Sequence, residues 1–341
     1  MPHPLRIGFI GAGNIVRTRH IPGLKQIEGV ELVGVCNRGE ASSRKAAKEF
    51  GIAKVFATWQ DLVHCPDIDV VWIGTWPYMH YPITLEALEM DKHVFCQARM
   101  AMNLEEAQAM WNASQQTERV TMLCPPPFGM KGDAVMRRLL HQENILGDLY
   151  SIHFRALGAD YLDPSTPLTW RQREDLSGLN TLTLGIYAEV IHRWFGYART
   201  VTAQAKTHIP LRPHQQENRP VTRPDQVMVL SEMLNGALMR WEWSGVARPA
   251  PHHSVEAYGA KGAVRYDFTT DTIELALAGG DWQPVSMDAE ACPWTVERDF
   301  IAAIREGKPV HPDFYDGYKY MQFTQAVFDS ITRQSHITLA V

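Results

Sequence analysis

Residues 6–16 read RIGFIGAGNIV, and this stretch decides the fold class. The apolar run at its start is typical of a buried strand, and the residues from Asn14 onward can form the helix that follows. Between them, Gly11 permits a tight turn, and Gly13 lets the backbone approach a pyrophosphate whose charge the helix N-terminus stabilises. The pattern predicts a dinucleotide-binding loop formed by Gly11, Gly13, Asn14 and Ile15. Its third position is Val16 instead of Gly or Ala, and glycines that serve only as a turn are the alternative.

Strand-like and helix-like segments alternate outward from this loop over the first 125 residues. Apolar runs at 31–36, 70–74, 93–96 and 120–124 are separated by helix-forming segments, which predicts a doubly wound parallel sheet, the Rossmann fold. The triple proline at 125–127 ends the series, so we predict an NAD(P)-binding domain over 1–125. Consecutive strand-like segments after it predict a second α/β domain over 126–341, with an open, mostly antiparallel sheet.

Composition excludes several classes of protein. The 341 residues are 45% hydrophobic and 21% charged, which is typical of a globular protein. We expect no membrane partner, because no apolar stretch approaches the roughly 18 residues of a membrane span. A net charge of −5 without basic blocks argues against nucleic acid. Five cysteines without close pairs predict free thiols in a reducing cytoplasm, and adjacent His252 and His253 are interpreted as surface residues, so no metal site is predicted.

The end of the second predicted strand bears on the choice of coenzyme. NAD-selective sites usually place Asp or Glu there to bind the ribose 2′-hydroxyl, whereas this chain has Asn37 followed by Arg38. Asn37 does not repel a 2′-phosphate, and Arg38 can pair with that phosphate or stack on adenine. We therefore predict NADP in preference to NAD, with a merely solvated Arg38 as the alternative.

Several motifs in the same order resemble the Gfo/Idh/MocA family of sugar and polyol oxidoreductases. They cover nearly the whole chain and lie at 7–15, 34–38, 67–107, 170–196, 258–267, 297–310 and 316–322. The resemblance implies a Rossmann domain and an α/β domain whose open sheet commonly forms homodimers or homotetramers. It also implies reversible oxidation of a sugar, sugar acid or cyclitol hydroxyl by a nicotinamide coenzyme.

This chain departs from the family where a Glu-Lys-Pro motif normally follows the fifth strand. The place is taken by Gln97, Ala98 and Arg99, so the lysine that supports proton transfer is absent. The family's Lys–Pro bond is often cis. A cis bond before a non-proline residue costs about 2.5–4 kcal/mol, so we expect the Ala98–Arg99 bond to be trans, or else strained for a purpose. The neighbouring Thr-Pro-Asn motif is also changed.

In that changed motif, Thr75 and Trp76 precede a proline, and His80 keeps its place. Trp76 can pack on the nicotinamide or its ribose, or it can be a core residue. The resemblance implies coenzyme contacts from Thr75, Trp76, His80 and Gln97.

A second family signature corresponds to residues 177–189. Thr183 replaces its aspartate, and Tyr187 takes the place of its histidine, where some relatives carry tyrosine as the acid/base. Thr183 and Tyr187 are four residues apart and share a helix face. Glu189 falls on another face, where it binds substrate or pairs with Arg193.

These residues predict a mechanism with Tyr187 as the acid/base. A tyrosine with an ordinary pKa near 10 needs a nearby cation to act as a base at pH 7, and Arg99 is the candidate, with Gln97 orienting the substrate. Further substrate contacts are expected from Tyr161, Trp170, Arg171, Thr183 and Glu189. The alternatives are a redox-neutral glycosidase or lyase that uses bound nicotinamide transiently, and a non-catalytic nucleotide-binding sensor.

Overall fold

The computed structural model describes residues 3–126, 130–249, 251–288, 290–291 and 293–340. Pro127 and Cys292 lie outside the described residues. The strands are β1 Leu5–Ile10, β2 Val30–Cys36, β3 Lys54–Val55, β4 Val70–Ile73, β5 His93–Cys96, β6 Thr121–Leu123, β7 Leu149–Leu157, β8 Ala198–Lys206, β9 Leu211–His214, β10 Glu217–Pro220, β11 Gln226–Met233, β12 Leu238–Ser244, β13 His252–Gly259, β14 Gly262–Asp267, β15 Thr272–Leu277, β16 Gln283–Val285 and β17 Ile337–Thr338. The helices are α1 Ile21–Leu24, α2 Glu40–Phe50, α3 Trp59–Val63, α4 His80–Glu89, α5 Leu104–Ser114, α6 Asp133–Arg137, α7 Glu174–Ser177, α8 Leu184–Phe195, α9 Val296–Glu306 and α10 Phe314–Arg333.

The chain folds into two compact units. The first comprises Met1–Pro125 and Thr295–Tyr318, and the second comprises Pro126–Trp294 and Lys319–Val341. Residues 295–318 thus pack in the first unit, whereas we predicted them as part of the second domain, 126–341. Apolar packing holds this segment there, because the Phe300 ring of α9 meets the rings of Trp72 and Phe95 edge-on, at centroid distances of 5.7 and 5.5 Å.

The first unit is built on a parallel sheet of β1–β6 in the order β3-β2-β1-β4-β5-β6. Its inner strands β4 and β5 are buried along their whole length, as expected when helices cover both faces. Trp72 and Phe95 stack across these two strands at 3.8 Å between ring centroids. The predicted doubly wound Rossmann fold is confirmed, with β3 as a short edge strand that the sequence pattern did not indicate.

The second unit contains a mixed sheet in the order β16-β15-β14-β13-β7-β12-β11-β8-β17. Within the described residues all its pairs are antiparallel except β7 with β12, which confirms the open, mostly antiparallel sheet. Helix α8 packs on β7 through Tyr187 and Phe154. No helix in the described part of the chain is long and apolar enough to cross a membrane.

Candidate active site

The glycine loop joins β1 to a helical segment that begins with Asn14. Gly11 has φ +86°, and a Cβ there would lie 2.8 Å from the Gly74 carbonyl carbon, so the fold itself requires glycine. Gly13 differs, because a Cβ there would meet no atom closer than the Gly74 oxygen at 3.7 Å. Nothing in the packing of the chain demands a bare backbone at Gly13. A pyrophosphate that approached the loop closely would require it, and the residues present fit such a group.

The helical segment after the loop presents its first backbone N–H groups at the carboxyl end of β1. After Asn14 and Ile15 it forms a π-helical turn, Val16–His20, that continues into α1. Inside the segment, Arg17 N–H donates to the Gly13 oxygen at 3.0 Å and Thr18 Oγ1 donates to the Asn14 oxygen at 2.9 Å. The N–H groups of Asn14 and Ile15 belong to the first turn, whose donors lack acceptors within a helix and suit an anion.

The end of β2 braces the loop and leaves one cation in solvent. Asn37 Oδ1 accepts from the Ala12 N–H at 2.7 Å, and its Nδ2 donates to the Ser42 oxygen at 3.0 Å. Arg38 is exposed, and its guanidinium carbon lies 5.4 Å from the centroid of the half-buried Trp76 ring. Asn37 therefore holds the loop, and Arg38 remains accessible to an anionic or planar group.

The segments after β4 and β5 are tied together by a fully buried histidine. His80 Nδ1 lies 2.9 Å from the Arg99 oxygen, and its Nε2 lies 3.1 Å from the Thr75 oxygen. Burial lowers the pKa of His80, and the backbone carbonyls of Thr75 and Arg99 act in the opposite direction. His80 thus positions two backbone segments. Direct contact of Thr75, Trp76 or His80 with a coenzyme stays a prediction.

The Ala98–Arg99 peptide bond is cis, so the prediction of a trans bond was wrong. Hydrogen bonds hold the backbone on both sides of it, because Gln97 N–H donates to the Ile73 oxygen at 3.0 Å and the Arg99 oxygen meets His80. The Arg99 side chain is 4% exposed. Gln97 is also buried, with its Nε2 at 2.6 Å from His20 Nε2.

In the second unit, Tyr187 is paired with a histidine. Its hydroxyl lies 2.6 Å from Nδ1 of His253, which is partly buried on β13. Burial, together with the charge of Asp267, raises the pKa of Tyr187, and burial lowers the pKa of His253. The stable arrangement is therefore a phenol that donates to a neutral imidazole. Interpreting His253 as a surface residue was wrong, because strand alternation turns it toward the inner face that α8 covers.

The two other residues from the second signature have different surroundings. Thr183 precedes α8, and its carbonyl accepts from the Tyr187 N–H at 3.0 Å, so the two lie one turn apart as predicted. Glu189 is 6% exposed and binds Arg193 through two hydrogen bonds of 3.0 and 2.7 Å. The ion-pair alternative for Glu189 is therefore the one observed, and its contact with substrate stays a prediction.

The predicted substrate aromatics also lie in the second unit. The Tyr161 ring packs against Gly245, where a Cβ would come within 2.6 Å of the ring, and the Arg212 guanidinium carbon lies 5.7 Å from its centroid. The exposed Arg171 lies over the ring of Trp170 at 4.4 Å. Among the described residues no group of His, Cys, Asp and Glu side chains is arranged to hold a metal ion.

Sequence reasoning missed two sets of polar residues. His253 could have been found from the two-residue period of a strand, which places one of two adjacent histidines on the inner face. The buried pair of His20 and Glu297 could not, because 277 residues separate the partners and no local pattern relates them.

Comparison with known proteins finds a family profile that matches residues in each of the two units. Residues 5–124 match the profile described as an oxidoreductase family with an NAD-binding Rossmann fold, and residues 135–265 match the GFO/IDH/MocA C-terminal domain. Levoglucosan dehydrogenase from Pseudarthrobacter phenanthrenivorans is 25% identical over 335 residues, covering 86% of this chain and 85% of that protein. The 1,5-anhydro-D-fructose reductase from Ensifer adhaerens is 34% identical over a segment that covers 33% of each protein.

Solved structures share the complete architecture. Levoglucosan dehydrogenase in complex with NADH and L-sorbose matches with a TM-score of 0.88 at 23% identity, covering 99% of both chains. An oxidoreductase domain protein from Kribbella flavida matches with a TM-score of 0.90 at 23% identity, covering 99% of this chain and 100% of that one. At this identity the likeness shows the fold. Taken with the two matched profiles, it shows that this chain belongs to the Gfo/Idh/MocA family of oxidoreductases with an NAD-binding Rossmann fold.

Proposed function

We propose that this protein is an NAD(P)-dependent oxidoreductase that transfers a hydride at a hydroxyl-bearing carbon of a sugar, sugar acid or cyclitol. The observation that carries the proposal is Gly13, a residue that the chain's own packing leaves free to be larger, at the start of a helix. The carbohydrate names of the two curated relatives support the substrate class. We assign coenzyme binding to the first unit and substrate binding to the second.

The coenzyme, when bound, supplies a nicotinamide ring that accepts or donates the hydride. Gly11, Gly13, Asn14 and Ile15 would hold its pyrophosphate, and Asn37 and Arg38 would face its adenosine end. We propose NADP as the preferred coenzyme, because Arg38 is an exposed cation and no acidic residue ends β2. NAD is the alternative, since a related structure holds NADH.

We assign proton transfer to Tyr187 with His253 as its partner. As hydride leaves the substrate carbon, the hydroxyl proton passes to the Tyr187 oxygen, and the phenol proton passes to His253 Nδ1. The result is a neutral tyrosine beside an imidazolium, so no free phenolate is required. This matters because burial and Asp267 disfavour phenolate by raising the pKa of Tyr187. Arg99 is proposed to orient the substrate, and Gln97 is assigned to the coenzyme.

The test is a panel of sugars, sugar acids and cyclitols with NADP and NAD, read by absorbance of the reduced nicotinamide. With an active substrate, Tyr187→Phe should lower kcat by about 100-fold or more, as expected for loss of a general acid/base, while the coenzyme Kd stays unchanged. Retained turnover would remove Tyr187 from the mechanism.

Redox-neutral cleavage is the second candidate, favoured by Ala98 at the place of the family's lysine. A glycosyl hydrolase family 109 protein from Shewanella woodyi is 30% identical over a segment covering 35% of this chain and 27% of that protein. Product analysis on the same panel separates the two candidates. Release of a sugar without net formation of reduced nicotinamide would indicate cleavage, whereas a stoichiometric absorbance change would indicate dehydrogenation.

A further inference from the structure

A buried chain of hydrogen bonds leads from α9 to the carboxyl end of β5 within the first unit. Glu297 Oε1 lies 2.5 Å from His20 Nδ1, and His20 Nε2 lies 2.6 Å from Gln97 Nε2. The exposed fractions of Glu297, His20 and Gln97 are 3%, 0% and 7%. We call these three residues the relay.

Donor and acceptor chemistry assigns the hydrogens along the relay. A carboxyl oxygen of Glu297 lies 2.5 Å from His20 Nδ1, and this contact fits an N–H on Nδ1 that donates to that oxygen. Burial lowers the pKa of His20, so the ring is neutral and its Nε2 carries a lone pair. That lone pair needs a donor, and the Gln97 NH2 group lies 2.6 Å away, with the Cys124 thiol as a longer second contact at 3.9 Å. The amide nitrogen of Gln97 is thereby engaged, and its Oε1 is the atom that His20 does not use.

The fold makes room for this arrangement. A Cβ at Gly23, three residues after His20, would lie 2.8 Å from Glu297 Oε2, so a side chain there would displace the carboxylate. The His20 ring packs against Trp72 and Phe95 at centroid distances of 5.0 and 5.1 Å. These aromatic contacts pack against the ring while its two nitrogens face Glu297 and Gln97.

Gln97 stands where the chain leaves β5, beside β4, whose end packs on the glycine loop through Gly74. In open α/β sheets, ligands bind at the carboxyl ends of the strands. A carboxylate in this place offers only acceptors, whereas a free carboxamide could offer either its NH2 or its oxygen. An amide serves as a defined acceptor only if its nitrogen is occupied.

We propose that Glu297 and His20 are positioning residues that hold the Gln97 carboxamide so that it offers its oxygen, and only its oxygen, to a hydroxyl or amide donor of the bound coenzyme. The inference rests on the proposed function, because the coenzyme is the ligand concerned. It assigns a role to two residues that have no place in the proton transfer of Tyr187.

The first test needs no coenzyme. In protein labelled with ¹⁵N at histidine, the His20 signals, identified by their loss in His20→Gln, should show a neutral ring with its proton on Nδ1. A neutral ring with its proton on Nε2, or a doubly protonated ring at pH 7.5, would overturn the proposal. Because this readout does not depend on activity, it judges the relay even if the protein proves not to bind nicotinamide nucleotides.

The second test reverses the direction of the hydrogen bonds along the relay. In Gln97→Glu, the carboxylate introduced at position 97 faces the lone pair of His20 Nε2 and is no longer held in place by a hydrogen bond to that ring. We therefore expect the Kd for NADPH or NADH, measured by nicotinamide fluorescence, to rise about tenfold. In the double variant that also carries Glu297→Gln, His20 can take the opposite tautomer. Its Nε2 then donates to the carboxylate introduced at position 97, and its Nδ1 accepts from the amide introduced at position 297. The double variant should therefore bind within about threefold of wild type, a coupling that double-mutant cycles detect.

The matched control is His93→Gln on β5, because His93 is a buried histidine of the same unit outside the relay, 9% exposed. It should lower the thermal midpoint and leave the coenzyme Kd unchanged. Glu297→Gln is also measured alone, and a double variant whose loss equals the product of the two single losses would overturn the proposal. Failure of wild type to bind either nucleotide would instead overturn the proposed function.

Discussion

Substituting the two loop glycines separates a structural requirement from a ligand requirement. Gly11→Ala places a methyl group in the left-handed region at φ +86°, at a cost of about 1–2 kcal/mol, and brings it within 2.8 Å of the Gly74 backbone. The contact is with backbone, which cannot rotate away, so unfolding stability should fall by at least this amount. Loss of coenzyme binding in Gly11→Ala would follow from damage to the loop.

Gly13→Ala should behave in the opposite way. The φ angle of Gly13 lies outside the left-handed region, and the new methyl group meets no atom closer than 3.7 Å. Stability should therefore stay level or rise by about 0.4–1 kcal/mol, because alanine restricts the unfolded chain. If the methyl group keeps a phosphate from one backbone N–H, the lost charge-assisted bond costs about 1.5–3 kcal/mol, or roughly 10- to 100-fold in Kd.

The assay pairs urea unfolding without nucleotide with fluorescence titration of NADPH and NADH for wild type and both variants. Gly13→Ala should be the variant that folds normally and binds weakly. If Gly13→Ala binds both nucleotides as tightly as wild type, the loop does not receive the pyrophosphate at Gly13.

Three further outcomes follow from named contacts. Arg38→Ala should raise the Kd for NADPH about tenfold and leave the Kd for NADH nearly unchanged, because we expect the exposed guanidinium to pair with the 2′-phosphate. Calorimetry measures both constants, and an equal rise in both would refute the NADP preference. Glu189→Ala removes the charge-assisted hydrogen bonds to Arg193, which retains Asp133 as a partner, so the free energy of unfolding should fall by about 1.5–3 kcal/mol. The folded protein should keep the wild-type kcat. A selective fall in kcat would instead support a substrate contact by Glu189. Burial lowers the pKa of His93 from 6.5 to about 4, so the unfolded chain binds the proton more readily between these values. Stability from this residue is complete above pH 6.5 and falls by up to about 3 kcal/mol as the pH drops to 4. Urea unfolding at pH 7.5 and 4.5 should show a smaller pH dependence in His93→Gln.

The Rossmann unit, the mixed sheet and the glycine loop could be predicted from the sequence because their signals are local. An apolar run ending at Gly11, a helix beginning at Asn14 and strands repeating at regular intervals each depend on neighbours a few residues away. The same holds for Thr183 and Tyr187, whose spacing of one helical turn places them together. The departure at Ala98 could also be read from the sequence, because alanine replaces the lysine of the family motif there.

What only the tertiary structure decided are the partners of the polar side chains. Tyr187 was assigned a cation from the first unit, yet its hydroxyl meets His253 in the second unit, 66 residues away. His20 meets a carboxylate 277 residues away. Such pairs arise because a buried polar group must find a partner wherever folding brings one, and no periodicity records that choice. Local order therefore defined the sheet and the loop, and packing between distant segments defined which polar atoms pair.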